Sequence, residues 1–181
     1  MSAPGLVATV MSNLGLERLM KASGLDLIRT KVGDRHVAAA MIEQGYNLGG
    51  EQSGHMLMPD YLPTGDGMLA AIQVLSVLVR SGKPASEALQ MFSQVPQLLV
   101  NVRYDGGTPL EKRSVIDAIE AARAEFGTDG RVLIRASGTE PVIRIMTEGD
   151  DPEQVKSIAH RLAEVVKAAY PDPSQFQTNS I

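Results

Sequence analysis

A glycine-rich loop in the first half of the chain carries side chains that could bind a sugar. It reads GGEQSGH over residues 49–55, and its glycines let the backbone bend sharply and approach a ligand. In an extended segment Glu51 and Ser53 would point the same way, and His55 would lie on that side too. An ionised glutamate accepts the hydrogen bonds that sugar hydroxyls donate, and His55 could donate to a hydroxyl or a phosphate. The alternative is a solvated turn with an exposed glutamate.

A second loop carries residue types that suit an anion. It reads RASGTEP over residues 135–141, between two predicted strands, and an arginine follows on the second strand. Hydroxyls and backbone N–H groups around its glycine can converge on one point, and two neighbouring arginines repel unless a phosphate lies between them. The candidate phosphate-binding residues are Arg135, Ser137, Gly138, Thr139 and Arg144. The alternative is a surface hairpin whose arginines pair with Glu140 or Glu148.

The first half of the chain, which positions the glycine-rich loop, alternates predicted strands and helices. The predicted strands lie at residues 6–11, 25–29 and 46–48. One predicted helix follows a cap at Ser12 or Asn13, and the others span 34–44 and 68–79. Gly24, Gly45 and Gly82 lie just past the ends of these helices, and Asp66 can cap the third. This alternation predicts an α/β unit with parallel strand pairs in a mixed sheet.

The second half, which positions the arginines, has the predicted order β-α-β-β-α, typical of a small two-layer α+β domain. Predicted strands lie at 98–104, 131–135 and 142–146, and predicted helices begin at Thr108-Pro109 and Asp151-Pro152. Pro96 marks a linker. The predicted domains are therefore residues 1–95, a partial α/β sugar-binding domain, and 96–170, a phosphate-binding domain, with a loose tail over 171–181.

Composition restricts the function further. The chain has 181 residues, 44% of them hydrophobic, a net charge of −4 and no cysteine. This acidic balance argues against binding nucleic acid through a basic surface, and no apolar run approaches the ~20 residues that span a bilayer. No basic region precedes the first apolar run, so no signal peptide is predicted. We expect a soluble, cytoplasmic globular protein without disulfides or thiolate metal sites.

The two loops together resemble the α-D-phosphohexomutase superfamily. GGEQSGH is followed about 80 residues later by RASGTEPVIRIM. The strings ATVMSNLGLER, RTKVGDRHV, GYNLGGEQSGH and YLPTGDGMLAA resemble the phosphoglucosamine mutase branch of that superfamily. The resemblance runs from Leu6 to about Tyr170, which is nearly the whole chain.

This resemblance implies an activity and a set of site residues. Its members have four domains around a cleft and interconvert glucosamine 6-phosphate and glucosamine 1-phosphate. They act through a phosphoserine and a glucosamine 1,6-bisphosphate intermediate, assisted by Mg²⁺. Glu51, Ser53 and His55 would belong to the sugar-binding loop of the third domain, and Arg35 to a loop that faces the cleft. The candidate phosphate-binding residues named above would form the loop of the fourth domain.

Two motifs that the resemblance also implies do not occur here. The nucleophile loop of the type TASHNP and the metal loop of the type DGDxDR are both absent from the sequence. The chain is therefore expected to hold no catalytic residue and no metal ligand, and to depend on missing N-terminal domains. The third domain also lacks its first strand and helix, as in a truncated product. We expect the apolar surface this leaves to cause self-association or a mobile first half.

Two other functions stay open at this point. A phosphomannomutase or phosphoglucomutase would carry the same two loops. A non-catalytic phosphosugar-binding module would explain the absence of the serine and metal loops. The acidic run at 148–151 is interpreted as favourable charge and a cap at the start of the last helix, not as a metal site.

Overall fold

The chain folds into two compact units. The computed structural model describes residues 4–104, 107–138 and 140–169. The units are Met1–Gln94 and Val95–Ile181, so the division falls beside Pro96. Thr139 and the predicted tail over 171–181 lie outside the described residues. No helix in the described ranges is long and apolar enough to cross a membrane.

The first unit is built on a mixed four-stranded sheet, as the sequence predicts. Its strands are β1 (Gly5–Thr9), β2 (Asp26–Thr30), β3 (Gly49–Gly50) and β4 (Met56–Leu57), in the order β2-β1-β3-β4. Strand β1 pairs in parallel with β2 and β3, and β4 runs antiparallel to β3. The predicted third strand at 46–48 was wrong by several residues. A Cβ on Gly49 would lie 2.7 Å from Val37 Cγ1, so only glycine can bring the strand this close to its covering helix.

Four helices complete this unit. They are α1 (Leu14–Ala22), α2 (Asp34–Gln44), α3 (Gly67–Ser81) and α4 (Ala85–Ala88). The Asn13 side chain accepts the Gly15 N–H at 2.9 Å, and Asp66 accepts the Leu69 N–H at 2.7 Å. Gly45 and Gly82 adopt left-handed conformations past α2 and α3. These caps confirm the predicted ends of the helices.

The buried core of this unit lies between β1 and α2. It is formed by Val7, Val37, Met41 and Leu57. Helix α3, in contrast, buries only Ala70. Four of its apolar side chains lie on one stripe at helical spacing and are each more than half exposed: Met68, Ile72, Leu75 and Val79.

The second unit has the predicted two-layer arrangement. Its antiparallel sheet has the order β5-β7-β6, with β5 (Gln97–Arg103), β6 (Gly130–Ala136) and β7 (Val142–Gly149). The helices are α5 (Arg113–Phe126) and α6 (Pro152–Ala169). The start predicted at Thr108 was wrong for α5. Thr108 makes no side-chain capping bond, and Pro109–Glu111 forms a separate 3₁₀ turn before the helix begins at Arg113.

The sheet of this unit has one face covered by helices and one that is not. Ile143 and Ile145 of β7 pack with Val115 of α5 and with Ile158 and Leu162 of α6. Side chains alternate along a strand, so the residues between these project from the opposite face. We call this opposite face the open face, because neither helix of this unit packs on it, although its β7 members Val142, Met146 and Glu148 are buried. Its members are Gln97, Leu99, Asn101 and Arg103 of β5, Arg131, Leu133 and Arg135 of β6, and Val142, Arg144, Met146 and Glu148 of β7.

Candidate functional site

Three loops of the first unit meet at one edge of its sheet. Because β1, β2 and β3 are parallel, the segments that follow them leave from the same edge. Ligands of α/β sheets bind at this carboxyl edge. The loop that follows β3 carries Glu51, Ser53 and His55, and Arg35 lies in the first turn of the helix that follows β2. The topology therefore places the predicted sugar-binding residues at the edge where a ligand is expected.

The loop over residues 51–55 is a tight turn, and the extended conformation considered for it was wrong. The Glu51 N–H donates to the His55 carbonyl at 2.9 Å, and the Gly54 N–H donates to the Glu51 carbonyl at 3.0 Å. Gly54 has a φ of 96°, which allows this reversal. The turn still brings the side chains together: Ser53 Oγ lies 3.1 Å from His55 Nδ1, which lies 3.9 Å from Glu51 Oε2.

The Glu51 carboxylate is largely enclosed and anchored to the loop that follows β2. Its side chain is only 11% exposed, which excludes the alternative of a solvated glutamate. Glu51 Oε1 accepts the Gly33 N–H at 2.8 Å, and Gly33 has a φ of 121°, in the region that favours glycine. The sequence offered no sign of this contact, because it joins residues 18 positions apart.

Arg35 lies two residues beyond Gly33, at the start of α2. Its side chain is exposed, and its Nε lies 3.4 Å from His36 Nε2. Its backbone N–H donates to Asp34 Oδ1 at 2.7 Å. Within the described ranges Arg35 has no recorded hydrogen bond or ion pair to the residues of the 51–55 turn. The structure therefore brings three of the four predicted sugar-binding residues together and places Arg35 separately, in the first turn of α2.

In the second unit, Arg135 and Arg144 lie directly opposite each other on the open face. They are register partners across β6 and β7. The Nε atoms of both are buried and have no hydrogen-bond partner in the described part of the chain. Burial, and then the charge of Arg144, lower the pKa of Arg135. Two cations are thus held side by side with unused donors, an arrangement that favours an anion between them.

The carboxylates near these arginines do not neutralise the pair. Arg144 Nη2 lies 3.7 Å from Glu140 Oε2, and Glu140 is 56% exposed, so this contact is loose. Glu148 pairs with a different arginine, Arg131. It is fully buried and accepts a hydrogen bond from Arg131 Nε at 2.7 Å. In the acidic run interpreted as favourable charge and a helix cap, Asp151 accepts the Glu153 N–H at 2.9 Å near the start of α6, whereas Glu148 lies in β7.

Part of the loop between β6 and β7 continues the hydrogen bonding of the sheet. The Ser137 N–H donates to the Val142 carbonyl at 2.7 Å, which extends the ladder by one residue. This N–H is therefore used within the sheet, and the phosphate-binding role of Ser137 stays a prediction for its hydroxyl. Gly138 is exposed, with nothing within 4 Å of the position of a Cβ. Thr139 lies outside the described residues.

The described side chains do not form a metal site. Over the ranges that the structure describes, no three His, Cys, Asp or Glu side chains come together in a way that could hold a metal ion. The residues present therefore do not fit Mg²⁺, and we derive no step through it on this chain.

Comparison with known families decides the affiliation. Residues 1–95 match the model of phosphoglucomutase/phosphomannomutase, α/β/α domain III, and residues 99–165 match the C-terminal domain of the same proteins. The chain belongs to the phosphoglucomutase/phosphomannomutase family. Its two units correspond to two consecutive domains of that family.

Relatives of known name cover nearly all of this chain. It is 57% identical over 165 residues to a phosphoglucosamine mutase from Novosphingobium aromaticivorans, covering 91% of this chain and 37% of the relative. A phosphoglucosamine mutase from Erythrobacter litoralis is 58% identical over 165 residues, covering 91% of this chain and 36% of the relative. The chain thus spans a little over a third of the length of these relatives.

Solved structures show the same fold. An N-acetylphosphoglucosamine mutase from Aspergillus fumigatus superposes with a TM-score of 0.77 at 20% identity, covering 92% of this chain and 38% of that one. The same fungal protein in complex with GlcNAc-6P and magnesium gives a TM-score of 0.74 at 20% identity, over 92% and 39% of the two chains. At this identity the likeness establishes the family fold alone.

Proposed function

We propose that this chain is the sugar- and phosphate-binding part of a phosphoglucosamine mutase, an enzyme that interconverts glucosamine 6-phosphate and glucosamine 1-phosphate. The observation that carries the proposal is the Arg135–Arg144 pair, two adjacent cations whose Nε donors are buried and unused. The identity of 53–58% to phosphoglucosamine mutases supports the choice of substrate.

Arg135 and Arg144 would hold whichever phosphate of the substrate is not reacting. A guanidinium matches a phosphate with two parallel hydrogen bonds, and each charge-assisted bond contributes roughly 1.5–3 kcal/mol. The hydroxyls of Ser137 and Thr139 and the open backbone at Gly138 would complete the contacts. One such site serves a substrate that binds in two orientations, because the sugar can turn while a phosphate occupies the same position.

Glu51 would accept hydrogen bonds from the sugar hydroxyls through the carboxylate lone pairs that the Gly33 N–H does not use. A carboxylate offers about four lone-pair positions, and the Gly33 N–H uses one on Oε1. Oε2 faces His55 Nδ1 at 3.9 Å, which leaves room for a hydroxyl to donate there. Ser53 and His55 would contact the same sugar, and Arg35 would contribute from the neighbouring loop.

The contribution of these residues is positioning. Holding reacting groups in the right geometry can supply ~7–11 kcal/mol of a barrier in favourable cases. The phosphoserine and the Mg²⁺ of the intact enzyme would come from its N-terminal domains, and the intermediate would be glucosamine 1,6-bisphosphate. This chain alone would bind the phosphosugar and leave the transfer to those domains.

Two alternatives would use the same two loops. The family model covers phosphoglucomutases and phosphomannomutases, so glucose or mannose phosphates are candidate substrates. A non-catalytic phosphosugar-binding module would bind the same ligands without converting them. Neither alternative changes the roles proposed for the two loops.

Complementation in trans separates the three functions. This chain is mixed with the part of the Novosphingobium aromaticivorans relative that precedes the matched region, and conversion of glucosamine, glucose and mannose 6-phosphates is measured. We expect conversion of glucosamine 6-phosphate above the other two, and none with either piece alone. Faster conversion of glucose or mannose phosphate would support the first alternative. Phosphosugar binding by the mixed pieces without conversion would support the binding module.

A further inference from the structure

The open face carries a third arginine at the end of the sheet where the two site arginines lie. Arg103 is at the carboxyl end of β5, and its register partner on β7 is Val142. The Tyr104 N–H donates to the Pro141 carbonyl at 3.1 Å, so the end of β5 adjoins the start of β7 beside the loop. Strand β5 was recognised in the sequence, but none of its side chains was assigned a role.

The strand register brings β5 side chains into line with the candidate site. Asn101, Arg144 and Arg135 form one row across the three strands. Arg103 lies in the next row, towards the loop, with Val142 beside it. Diagonal neighbours across antiparallel strands are about 7–8 Å apart at Cα, within reach of long side chains. The Arg103 guanidinium can therefore reach a group that is bound by Arg144.

Arg103 is available for such a contact. It is exposed, and it has no recorded hydrogen bond or ion pair across the ranges that the structure describes. Asn101 is exposed on the same face and offers both a donor and an acceptor. Neither residue contributes to the helix-covered core of the unit.

Charge gives a reason for a third cation. Glu140 lies 3.7 Å from Arg144 Nη2 and offsets part of the positive charge of the pair. A phosphate monoester carries close to two negative charges at pH 7. With Arg103 included, the described residues at this end of the sheet set three arginines against the one carboxylate of Glu140, and the surplus of two positive charges matches the charge of the phosphate.

We infer that Arg103, assisted by Asn101, is a phosphate-binding residue, so that the site extends over all three strands of the sheet. This inference rests on the proposed function and deepens it. The phosphate would then be bound by side chains of the sheet face as well as by the loop over residues 135–141. Strand β5 would contribute to affinity although it lies outside the RASGTEP motif.

The test is titration calorimetry of glucosamine 6-phosphate and of inorganic phosphate into the full chain and its Arg103→Gln variant. The matched control is Arg123→Gln, because Arg123 is an exposed arginine of the same unit on the helical layer. We expect R103Q to weaken the binding of both ligands by the same factor, about tenfold. R123Q should change the affinity for neither ligand. Arg103→Lys should recover part of the loss, because it restores the charge.

Three outcomes would overturn the inference. Unchanged affinity in R103Q, with binding lost in Arg135→Gln, refutes the role of Arg103 and leaves the proposed function standing. A loss confined to glucosamine 6-phosphate means that Arg103 contacts the sugar and not the phosphate. Absence of binding by the unaltered chain removes both the inference and the phosphate site it extends. Because Arg103 is exposed, we expect circular dichroism to show an intact fold in every variant.

Discussion

At the scale of single residues, the open face sets arginines in two different environments. Arg131 and Arg135 lie on the same strand and the same face, four residues apart. Arg131 is paired with the fully buried Glu148, whereas Arg135 faces another arginine. Like charges directly opposite each other on a sheet are destabilising. Such a local conflict is typical of functional sites. We therefore infer a structural role for Arg131 and propose a functional one for Arg135.

This difference predicts opposite effects of the two substitutions on stability. Arg131→Ala removes a cation that pairs with the fully buried Glu148, and we expect it to lower the free energy of unfolding by about 3–5 kcal/mol. Arg135→Ala removes a repulsion and should change that free energy by less than about 1 kcal/mol. Urea denaturation followed by circular dichroism measures both. Equal destabilisation by the two variants would show that Arg135 is a structural residue.

The sequence could predict the arginine pair but not the buried ion pair. A short loop between two strands fixes Arg135 and Arg144 near each other whatever surrounds them. The pairing of Arg131 with Glu148 depends on a register that continues for the whole hairpin, and on packing that buries Glu148. From the sequence, Glu148 was considered as part of an acidic run or as a partner of Arg135 or Arg144, and its pairing with Arg131 was not predicted.

At the scale of elements, the capping signals of the first unit were reliable, whereas signals that depend on packing were not. The caps at Asn13 and Asp66 were predictable, because a cap depends on a few neighbouring residues. Strand β3 was misplaced because its position depends on contact with α2, 12 residues earlier along the chain at Val37. The hydrogen bond from the Gly33 N–H to the Glu51 carboxylate was also not predicted from the sequence, although it joins two loops of the candidate site.

That link predicts that Glu51 orders the loop after β2 as well as binding sugar. We expect Glu51→Ala to speed hydrogen exchange of the Gly33 amide by about tenfold or more, because it removes a charged acceptor. Glu51→Gln keeps a carbonyl acceptor and should preserve much of the protection. NMR exchange measurements would use the Val10 amide, which donates to the Thr30 carbonyl at 2.9 Å, as an unaffected internal reference.

An unprotected Gly33 amide in the unaltered chain would contradict this role of Glu51. So would equal exchange rates in the alanine variant and the unaltered chain. In either case Glu51 would act on the sugar alone, and the conformation of the loop after β2 would be set by Gly33 itself.

At the scale of the whole molecule, α3 leaves an apolar stripe uncovered. Met68, Ile72, Leu75 and Val79 are 73%, 54%, 58% and 83% exposed. Contiguous exposed apolar surface on a small protein favours association. The self-association expected from the sequence therefore stays a prediction, and the structure identifies the surface it would use.

We expect the chain to associate with rising concentration through this stripe. The variant Ile72→Gln/Leu75→Gln/Val79→Gln should shift sedimentation towards the monomer, because it removes the apolar contact. Val77→Gln is the matched control, since Val77 is 49% exposed on the opposite side of the same helix. A concentration-independent monomer before substitution would refute the prediction.

The measurement that tests the central claim most directly is calorimetric titration of glucosamine 6-phosphate into this chain and its Arg135→Gln variant. If Arg135 and Arg144 hold the phosphate, the unaltered chain shows saturable binding and the variant binds at least about tenfold more weakly. The Arg123→Gln variant, altered at an exposed arginine of α5, should bind glucosamine 6-phosphate as tightly as the unaltered chain does. Equal affinity in Arg135→Gln and Arg123→Gln would contradict the account, because the phosphate would then lie elsewhere.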